Sequence, residues 1–306
     1  YYSFTDSNGN TVLSEDATNP NEVWPVLHKN SSTTKISNID FRKEFGFYSV
    51  DVNTGGNTLK IIALNTVIFS SKGLYNSHNG VGSDGISQQQ ATQIQMRWLE
   101  ETLNKIDTTK VLLMMHIPLG RDGYNGKSLW DETLKYTNIN GDTLKLQNAF
   151  LDQIAKHKSK ITGLLNGHTH LDGLKRIYKS DSTTINNELI ALSISTPGIS
   201  VNHGNNPGLK LFTYNSGNFD LLNFETYFAS PTNTSETGNF KFLKDSSYTF
   251  KQVYTINTPY STILNDIKGQ ETHRIIKHLN SILGVKSNQN VYLHHKDALN
   301  VYTQNK

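Results

Sequence analysis

Two short, nearly continuous apolar runs constrain this chain more than anything else in it: Val111-Leu112-Leu113-Met114-Met115 and Ile161-Thr162-Gly163-Leu164-Leu165. Runs of this length are too short for a helix buried all round, and they match strands covered on both faces, as in the interior of an α/β sheet. Each run ends in histidine. His116-Ile117-Pro118 follows the first, and Gly167-His168-Thr169-His170 follows the second. An open α/β sheet gathers its chemistry beyond the carboxyl ends of its strands, so these histidines are the first candidates for function.

The surrounding pattern supports an α/β reading. Residues 1–45 are polar and turn-rich with one aromatic anchor, Trp24, and read as a loop-dominated lead-in. Gly46–Val52 alternates, Thr54-Gly55-Gly56-Asn57 is a turn, and Leu59–Leu64 is a second strand, which predicts a hairpin. A Gly/Ser/Asn-rich loop over 70–86 leads into Ser87-Gln88-Gln89-Gln90, the spacing of a capping box. The helix it opens carries Ala91, Ile94, Trp98, Leu99 and Leu103 on one face. A second helix is predicted from Leu144 to His157, with Leu146, Phe150 and Ile154 in phase. Ile190–Ser195 is another buried strand. Lys210–Tyr214 pairs with Leu221–Tyr227 around Asn215-Ser216-Gly217-Asn218. The composition shifts near residue 230, where Pro231–Gly238 resembles a linker. Ile263, Leu264, Ile267, Ile275, Ile276, Leu279, Ile282 and Leu283 then keep helical spacing up to Gly284.

Composition excludes several functions. Charged residues are only 18% of the 306 and the net charge is +3, with no Lys/Arg run, so a nucleic-acid polymer is not the expected partner. The absence of cysteine removes disulfides, thiolate zinc sites and cysteine nucleophiles. No apolar stretch is long enough for a transmembrane helix. Tyr1-Tyr2-Ser3-Phe4 has neither an initiator Met nor a signal-peptide pattern, so the chain reads as a mature or truncated product.

Imidazole is a ligand for zinc, iron, manganese, nickel or copper, and is neutral near working pH. On an extended backbone His168 and His170 would point the same way. Gly167 allows a sharp turn or a close approach, and Pro118 restricts the chain after His116. A single histidine after a strand is more often a hydrogen-bonded turn residue. The joint occurrence of His116, His168 and His170 favours a metal site. His28, His78, His157, His273, His278, His294 and His295 lack this setting and read as solvated surface.

The ordered series of motifs resembles the calcineurin-like metallophosphoesterases, and within them the acid-sphingomyelinase-like branch. The segments that carry the likeness are Phe47-Tyr48-Ser49-Val50, Ala63-Leu64-Asn65-Thr66, Gln95-Met96-Arg97-Trp98-Leu99-Glu100, His116-Ile117-Pro118-Leu119-Gly120 and Gly167-His168-Thr169-His170-Leu171-Asp172. Thr196-Pro197, then Asn206-Pro207-Gly208 before the strand of Phe212-Thr213-Tyr214, and finally Tyr248-Thr249-Phe250 extend it, so that it covers about residues 45–285. One proline of the family's His-Ile-Pro-Pro-Gly is replaced by Leu119.

The resemblance implies an α/β/β/α sandwich and a centre of two divalent metals, most often zinc. By motif position His116 and His168 would bind one metal and His170 the other. A hydroxide bridging the metals would attack the phosphorus of a phosphodiester, sphingomyelin-like phospholipid or nucleotide-type. The family's earlier motifs, Asp-x-His, Gly-Asp and Gly-Asn-His/Asp, do not occur before His116. The resemblance therefore implies the C-terminal portion of a catalytic domain over residues 1–230, lacking its N-terminal half, and a helical C-terminal extension over residues 231–306. It assigns no catalytic residue beyond the metal ligands, and the isolated chain is expected to bind metal weakly and hydrolyse little. Arg121, Asp122, Tyr124, Trp130, Asn202 and His203 fall where the family meets its substrate, although ordinary loop or core roles are as plausible for each. Asp172 is either a carboxylate that orients a ligand histidine or a plain turn residue. The likeness also implies a secreted, periplasmic or lysosome-like location and peripheral contact with lipid. The sequons Asn30-Ser31-Ser32 and Asn233-Thr234-Ser235 arise easily in a chain of this composition. Two other readings stand beside this one: a phosphomonoesterase of the purple acid phosphatase type, and a non-catalytic binding or structural module.

Overall fold

The structure is a computed structural model, and it describes residues 34–42, 45–71, 86–122, 125–170, 172–179, 188–199, 208–231, 240–253, 256–258, 260–267 and 300–302. Trp24, most of the 70–86 loop, Tyr124, Asn202, His203, the linker after Pro231 and the helical spacing beyond Ile267 lie outside these residues. So do His28, His78, His273, His278, His294 and His295. The chain divides into two compact units, Tyr1–Leu119 with Ser128–Thr162 and Ser216–Asn218, and Gly120–Lys127 with Gly163–Asn215 and Phe219–Lys306.

The first unit is a mixed sheet with two helices. Its strands are β1 (Thr34–Arg42), β2 (Phe47–Thr54), β3 (Asn57–Leu64) and β4 (Lys110–Met115), in that order, with β3 and β4 parallel and the other pairs antiparallel. The β2–β3 hairpin closes on Gly55 and Gly56, at φ +57° and +84°. Two successive positive φ angles give the turn whose twist matches its strands, and glycine adopts them without a Cβ clash. Helix α1 (Gln88–Lys105) starts with the full capping box: the Ser87 hydroxyl accepts from the Gln90 N–H, and the Gln90 side chain accepts from the Ser87 N–H.

A short hairpin, β5 (Lys135–Thr137) and β6 (Thr143–Lys145), precedes helix α2 (Leu146–Lys156). Gln89 and Gln93 of α1 hold β5 as a neighbouring strand would. Each side-chain amide donates to and accepts from the backbone of one β5 residue, Lys135 and Thr137 respectively. The match is geometric: four residues of helix rise about 6 Å, and two residues of strand span about 6.6 Å. The core of this unit includes Phe47, Ile62, Met96, Leu99, Leu103, Val111, Leu113 and Phe150, all buried. Phe47 packs on Trp98 at 4.8 Å between ring centroids.

The second unit takes β7 (Ile161–Asn166) from Gly163 on. Its strands β8 (Gly173–Lys179) and β9 (Glu188–Ser195) are antiparallel, β7 and β9 are parallel, and β13 (Asn300–Tyr302) runs parallel to β8. A separate antiparallel sheet holds β10 (Gly208–Tyr214), β11 (Leu221–Pro231) and β12 (Phe240–Thr249). Short helices α3 (Phe250–Val253) and α4 (Ile263–Ile267) follow β12. One apolar cluster joins Leu174, Leu192, Ile194, Leu221, Phe224, Tyr248, Phe250, Ile263 and Ile267. The protein is thus mixed α/β.

Four local expectations need correcting. Thr34–Arg42 is a strand and not part of a loop. Its pairing shifts between Ser37 and Asp40, with Asn38 at φ +50°, so the alternation breaks at the bulge and hides the strand. Met114 is 38% exposed, so β4 buries one face, Val111, Leu113 and Met115, more than the other. Ile94 is 40% exposed, and Gln95 and Met96 take buried places on α1 instead. Tyr248 and Thr249, expected in a helical tail, end β12.

Candidate functional site

His116 follows β4 and is exposed. Its neighbour Ile117 is buried and held on both sides of its backbone. The Ile117 N–H donates to Thr66 Oγ1 at 2.8 Å, and its carbonyl accepts from the Trp130 indole N–H at 3.2 Å. Thr66 in turn begins a 3-10 turn, Thr66–Phe69, whose entry is fixed by α1. The Gln95 amide accepts from the Asn65 N–H and donates to the Asn65 carbonyl, while the Asn65 side chain donates to the Phe45 carbonyl. Three motifs that the sequence leaves far apart therefore form one relay, Gln95 to Asn65, Thr66 to Ile117, ending beside His116. Trp98 and Glu100 of the same helix motif are also spent on structure. The Trp98 indole N–H donates to Asp40, and Glu100 accepts from the Tyr136 hydroxyl at 2.5 Å and from the Ile139 N–H.

His168 and His170 lie just past β7, in the second unit, and both are partly buried. They are not on extended backbone: φ is +71° at His168 and +58° at His170. The expectation that alternation aims both side chains the same way is corrected accordingly. The left-handed region costs a non-glycine residue roughly 1–2 kcal/mol, and paired excursions of this kind persist where surrounding contacts impose them. Those contacts are visible. Asn166, at the end of β7, donates to Ser193 Oγ at 2.7 Å and accepts from the Ser195 hydroxyl. The Thr169 N–H donates to the Gly167 carbonyl at 2.9 Å, and the His170 carbonyl accepts from the Gly198 N–H at 3.2 Å. The Gly198 carbonyl accepts from the Gly208 N–H at 3.0 Å. A β-carbon on Gly198 would stand 2.7 Å from His170 Cγ, and one on Gly208 would stand 2.7 Å from Pro197 Cγ. Gly198 is therefore needed for close approach behind His170, and Gly208 for close approach to Pro197.

Asp172 is not a loose turn residue: its carboxylate is taken up by a buried network of Lys210, Thr226 and Tyr248. It is buried, and its Oδ2 receives three donors: Lys210 Nζ at 2.6 Å, Thr226 Oγ1 at 3.0 Å and the Tyr248 hydroxyl. Lys210 Nζ also donates to Thr226 at 2.5 Å and lies 3.8 Å from the centre of the Phe224 ring. Burial pushes the Lys210 ammonium below its ordinary pKa, and Asp172 opposes that shift by charge and hydrogen bond. The other oxygen, Oδ1, is buried and accepts nothing among the described residues.

Sequence reasoning named Tyr248 only within a motif and missed Lys210 and Thr226; at Lys210 the alternation of Leu209-Lys210-Leu211 suggests buried leucines and an outward lysine. The structure reverses this. The Lys210 side chain is fully buried, while Leu209 and Leu211 are 42% and 57% exposed.

A second buried lysine lies on β8. Lys175 Nζ donates to the Arg121 carbonyl at 2.7 Å. Burial pushes its pKa down to about 7 against the partial opposition of Asp122. Arg121 itself is exposed and donates to the Gly126 carbonyl, and the buried Asp122 accepts from the Asn125 side chain. Trp130 is 1% exposed and stacks edge-on to Phe150, which makes it a core residue of the first unit and not a surface for a headgroup. His157, expected at the surface, is 5% exposed, and its Nε2 has no hydrogen-bond partner among the described residues. Its imidazole is pushed below its ordinary pKa, first by burial and then by Lys156 and Lys160.

The donor chemistry of His116, His168 and His170 suits a zinc-type ion. The number of ligands does not complete a centre. Among the described residues no group of three or more His, Cys, Asp or Glu side chains is placed to hold a metal. Among those residues, too, no helix is long and apolar enough to cross a membrane.

No protein-family model matches the chain. Among curated proteins it is similar to the cyclic GMP-AMP phosphodiesterase SMPDL3A of Rattus norvegicus, 27% identical over 240 residues that cover 78% of this chain and 47% of that protein. It is similar to the sphingomyelinase phosphodiesterase D of Dictyostelium discoideum, 25% identical with 74% and 46% covered. The acid sphingomyelinase-like phosphodiesterase 3b of Homo sapiens is 23% identical, with 82% and 51% covered. The homologues of this chain are thus acid-sphingomyelinase-like phosphodiesterases. The chain spans about half the length of the curated relatives it matches. The solved structure of PhoD aligns with a TM-score of 0.35 and 10% identity over 68% of this chain and 42% of that one.

Proposed function

We propose that this chain is part of a metal-dependent phosphoric diester hydrolase, sphingomyelin phosphodiesterase-like, and that His116, His168 and His170 are the metal ligands it contributes. The observation that carries the reading is the turn after β7. Two histidines are held at positive φ between a buried strand and a glycine pressed against the His170 ring. Strain of this kind is characteristic of functional sites. The phosphodiesterase names of the homologues supply the chemistry.

Within this reading the fold is a metallophosphoesterase α/β/β/α sandwich. Residues 1–230 form the C-terminal portion of its catalytic domain and residues 231–306 a C-terminal extension, which carries β12 and β13 as well as the short helices α3 and α4. The metals are two divalent ions, zinc by family analogy, and the substrate is a phospholipid or nucleotide-type phosphodiester met outside the cytoplasm. In a complete centre the metals would supply hydroxide near neutral pH and charge neutralisation at the phosphate, and His116, His168 and His170 would be this chain's share of the ligands. Because the ligand set of this chain is incomplete, no catalytic step is assigned to its residues. The residues position imidazoles: Thr66 and Trp130 by holding Ile117, Gly198 by packing behind His170.

The alternative, a binding or structural module that keeps half of such a site, is favoured by the absence of a three-ligand cluster among the described residues. Zinc titration followed by the imidazole NMR signals, together with hydrolysis of bis(p-nitrophenyl) phosphate, separates the two. Selective perturbation of His116, His168 and His170, with weak zinc-dependent turnover lost in His168→Ala, supports the hydrolase. The same perturbation with no turnover supports the module. Zinc that leaves these three signals unmoved overturns both.

A further inference from the structure

We infer that the buried cluster of Asp172, Lys210, Thr226 and Tyr248 is a positioning device for His168 and His170, by which the β10–β12 sheet holds the turn after β7 in its left-handed form. The inference rests on the reading of those histidines as metal ligands.

Asp172 stands two residues after His170 and immediately before β8, which starts at Gly173, so it marks the exit of the turn. Its carboxylate has one donor from each strand of the other sheet: Lys210 from β10, Thr226 from β11 and Tyr248 from β12. The ion pair of Asp172 and Lys210 is wholly out of water, with side-chain exposures of 1% and 0%. Such a pair is a poor source of stability, since desolvating both charges offsets most of their attraction, and its attested use is to specify one geometry. The specification here is exacting. A shift of β10 by one residue would bring Leu209 or Leu211 to the carboxylate and turn Lys210 out to solvent.

The same strand restrains the turn a second time. Gly208, the first residue of β10, donates to Gly198, and Gly198 donates to the carbonyl of His170. His170 is thus fixed through its own carbonyl and ring on one side and through Asp172 on the other. Both restraints lead back to β10. Two left-handed residues that cost strain energy need restraint of this kind from outside the turn.

The test uses the full chain and two readouts. The Cα and Cβ chemical shifts of His168 and His170 report the left-handed backbone without any metal. Zinc titration reports the imidazole geometry. Tyr248→Phe removes one hydroxyl donor and keeps the ring, and Lys210→Met removes the charge. Lys251→Met is the control. It breaks another buried cation, which donates to Thr258, Ser261 and Asp266 in the same unit. Tyr248→Phe is expected to move the shifts of both histidines toward ordinary values and to weaken zinc binding about tenfold or more, the usual effect of losing a group that orients metal ligands. Lys210→Met is expected to do more, and Lys251→Met to lower the melting temperature with the histidine shifts unmoved. If Lys210→Met does not fold, Tyr248→Phe alone decides. Unchanged histidine shifts in Tyr248→Phe, or equal changes in Lys251→Met, would overturn the inference. A wild-type chain whose histidines ignore zinc would instead remove the ligand reading, while the metal-free shifts still decide whether the cluster positions the turn.

Discussion

The His170 ring lies against Gly198 so closely that a β-carbon on the glycine would meet His170 Cγ at 2.7 Å and both Cβ and Nδ1 at 3.0 Å. A side chain at position 198 and the present place of the imidazole exclude one another. This is the physical content of the Thr196-Pro197-Gly198 segment. Its glycine serves the histidine from across the chain, not a turn of its own.

Gly198→Ala is therefore expected to displace the His170 ring and to cost about 1–3 kcal/mol, the usual range for an extra methyl group in a packed site. Urea denaturation measures the cost, and the His170 imidazole signals measure the displacement. Gly56→Ala is the contrast. It has open space around the new methyl but stands at φ +84°. Its cost of about 1–2 kcal/mol should leave His170 unmoved.

Thr66→Val keeps the shape of residue 66 and removes the oxygen that accepts from the buried Ile117 N–H. An N–H left buried without a partner costs about 1–3 kcal/mol. The variant should lose that much in a denaturant titration, and the His116 signals should broaden or shift. Thr66→Ser, which retains the oxygen, should recover both.

His157 gives stability an acid limb. Burial, Lys156 and Lys160 hold its folded pKa below the ordinary 6.5. The unfolded chain then binds the proton first as pH falls. The stability present above pH 6.5 drains away below it, at no more than about 1.4 kcal/mol per pH unit. Melting temperatures across pH 5–7.5 should fall less steeply in His157→Leu, and an equal slope in the two proteins would remove His157 from this role.

Lys175 acts in an alkaline window. It sheds its proton near pH 7 in the folded chain and near its ordinary 10.5 in the unfolded one. Between those values the unfolded state carries the extra proton, so this group makes stability rise with pH, by up to about 1.4 kcal/mol per unit. Lys175→Met should abolish the rise between pH 7.5 and 9.5. Chemical denaturation at three pH values across that window measures it.

Much of the scaffold was legible because its determinants are local. The capping box at Ser87 and Gln90 and the Gly55-Gly56 hairpin turn depend on neighbours within four residues, and each appears as read. The runs ending at His116 and His170 mark β4 and β7 correctly. β1 was not legible because its bulge at Asn38 breaks the period that would reveal it. His157 was misread because a lone polar residue at a helix end carries no sign of what covers it.

The sequence by itself determined the mixed α/β character, the strands that deliver His116, His168 and His170, and the likeness to acid-sphingomyelinase-like phosphodiesterases, since periodicity, caps and ordered motifs are properties of short stretches. Only the tertiary structure decided how those histidines are held. It set the left-handed backbone at His168 and His170, the glycine behind the His170 ring and the burial of Lys210 beneath exposed leucines. The reason is that strand register and ion pairing are settled between residues far apart in the chain. Asp172 and Tyr248 are 76 positions apart, and nothing near either one in sequence names the other.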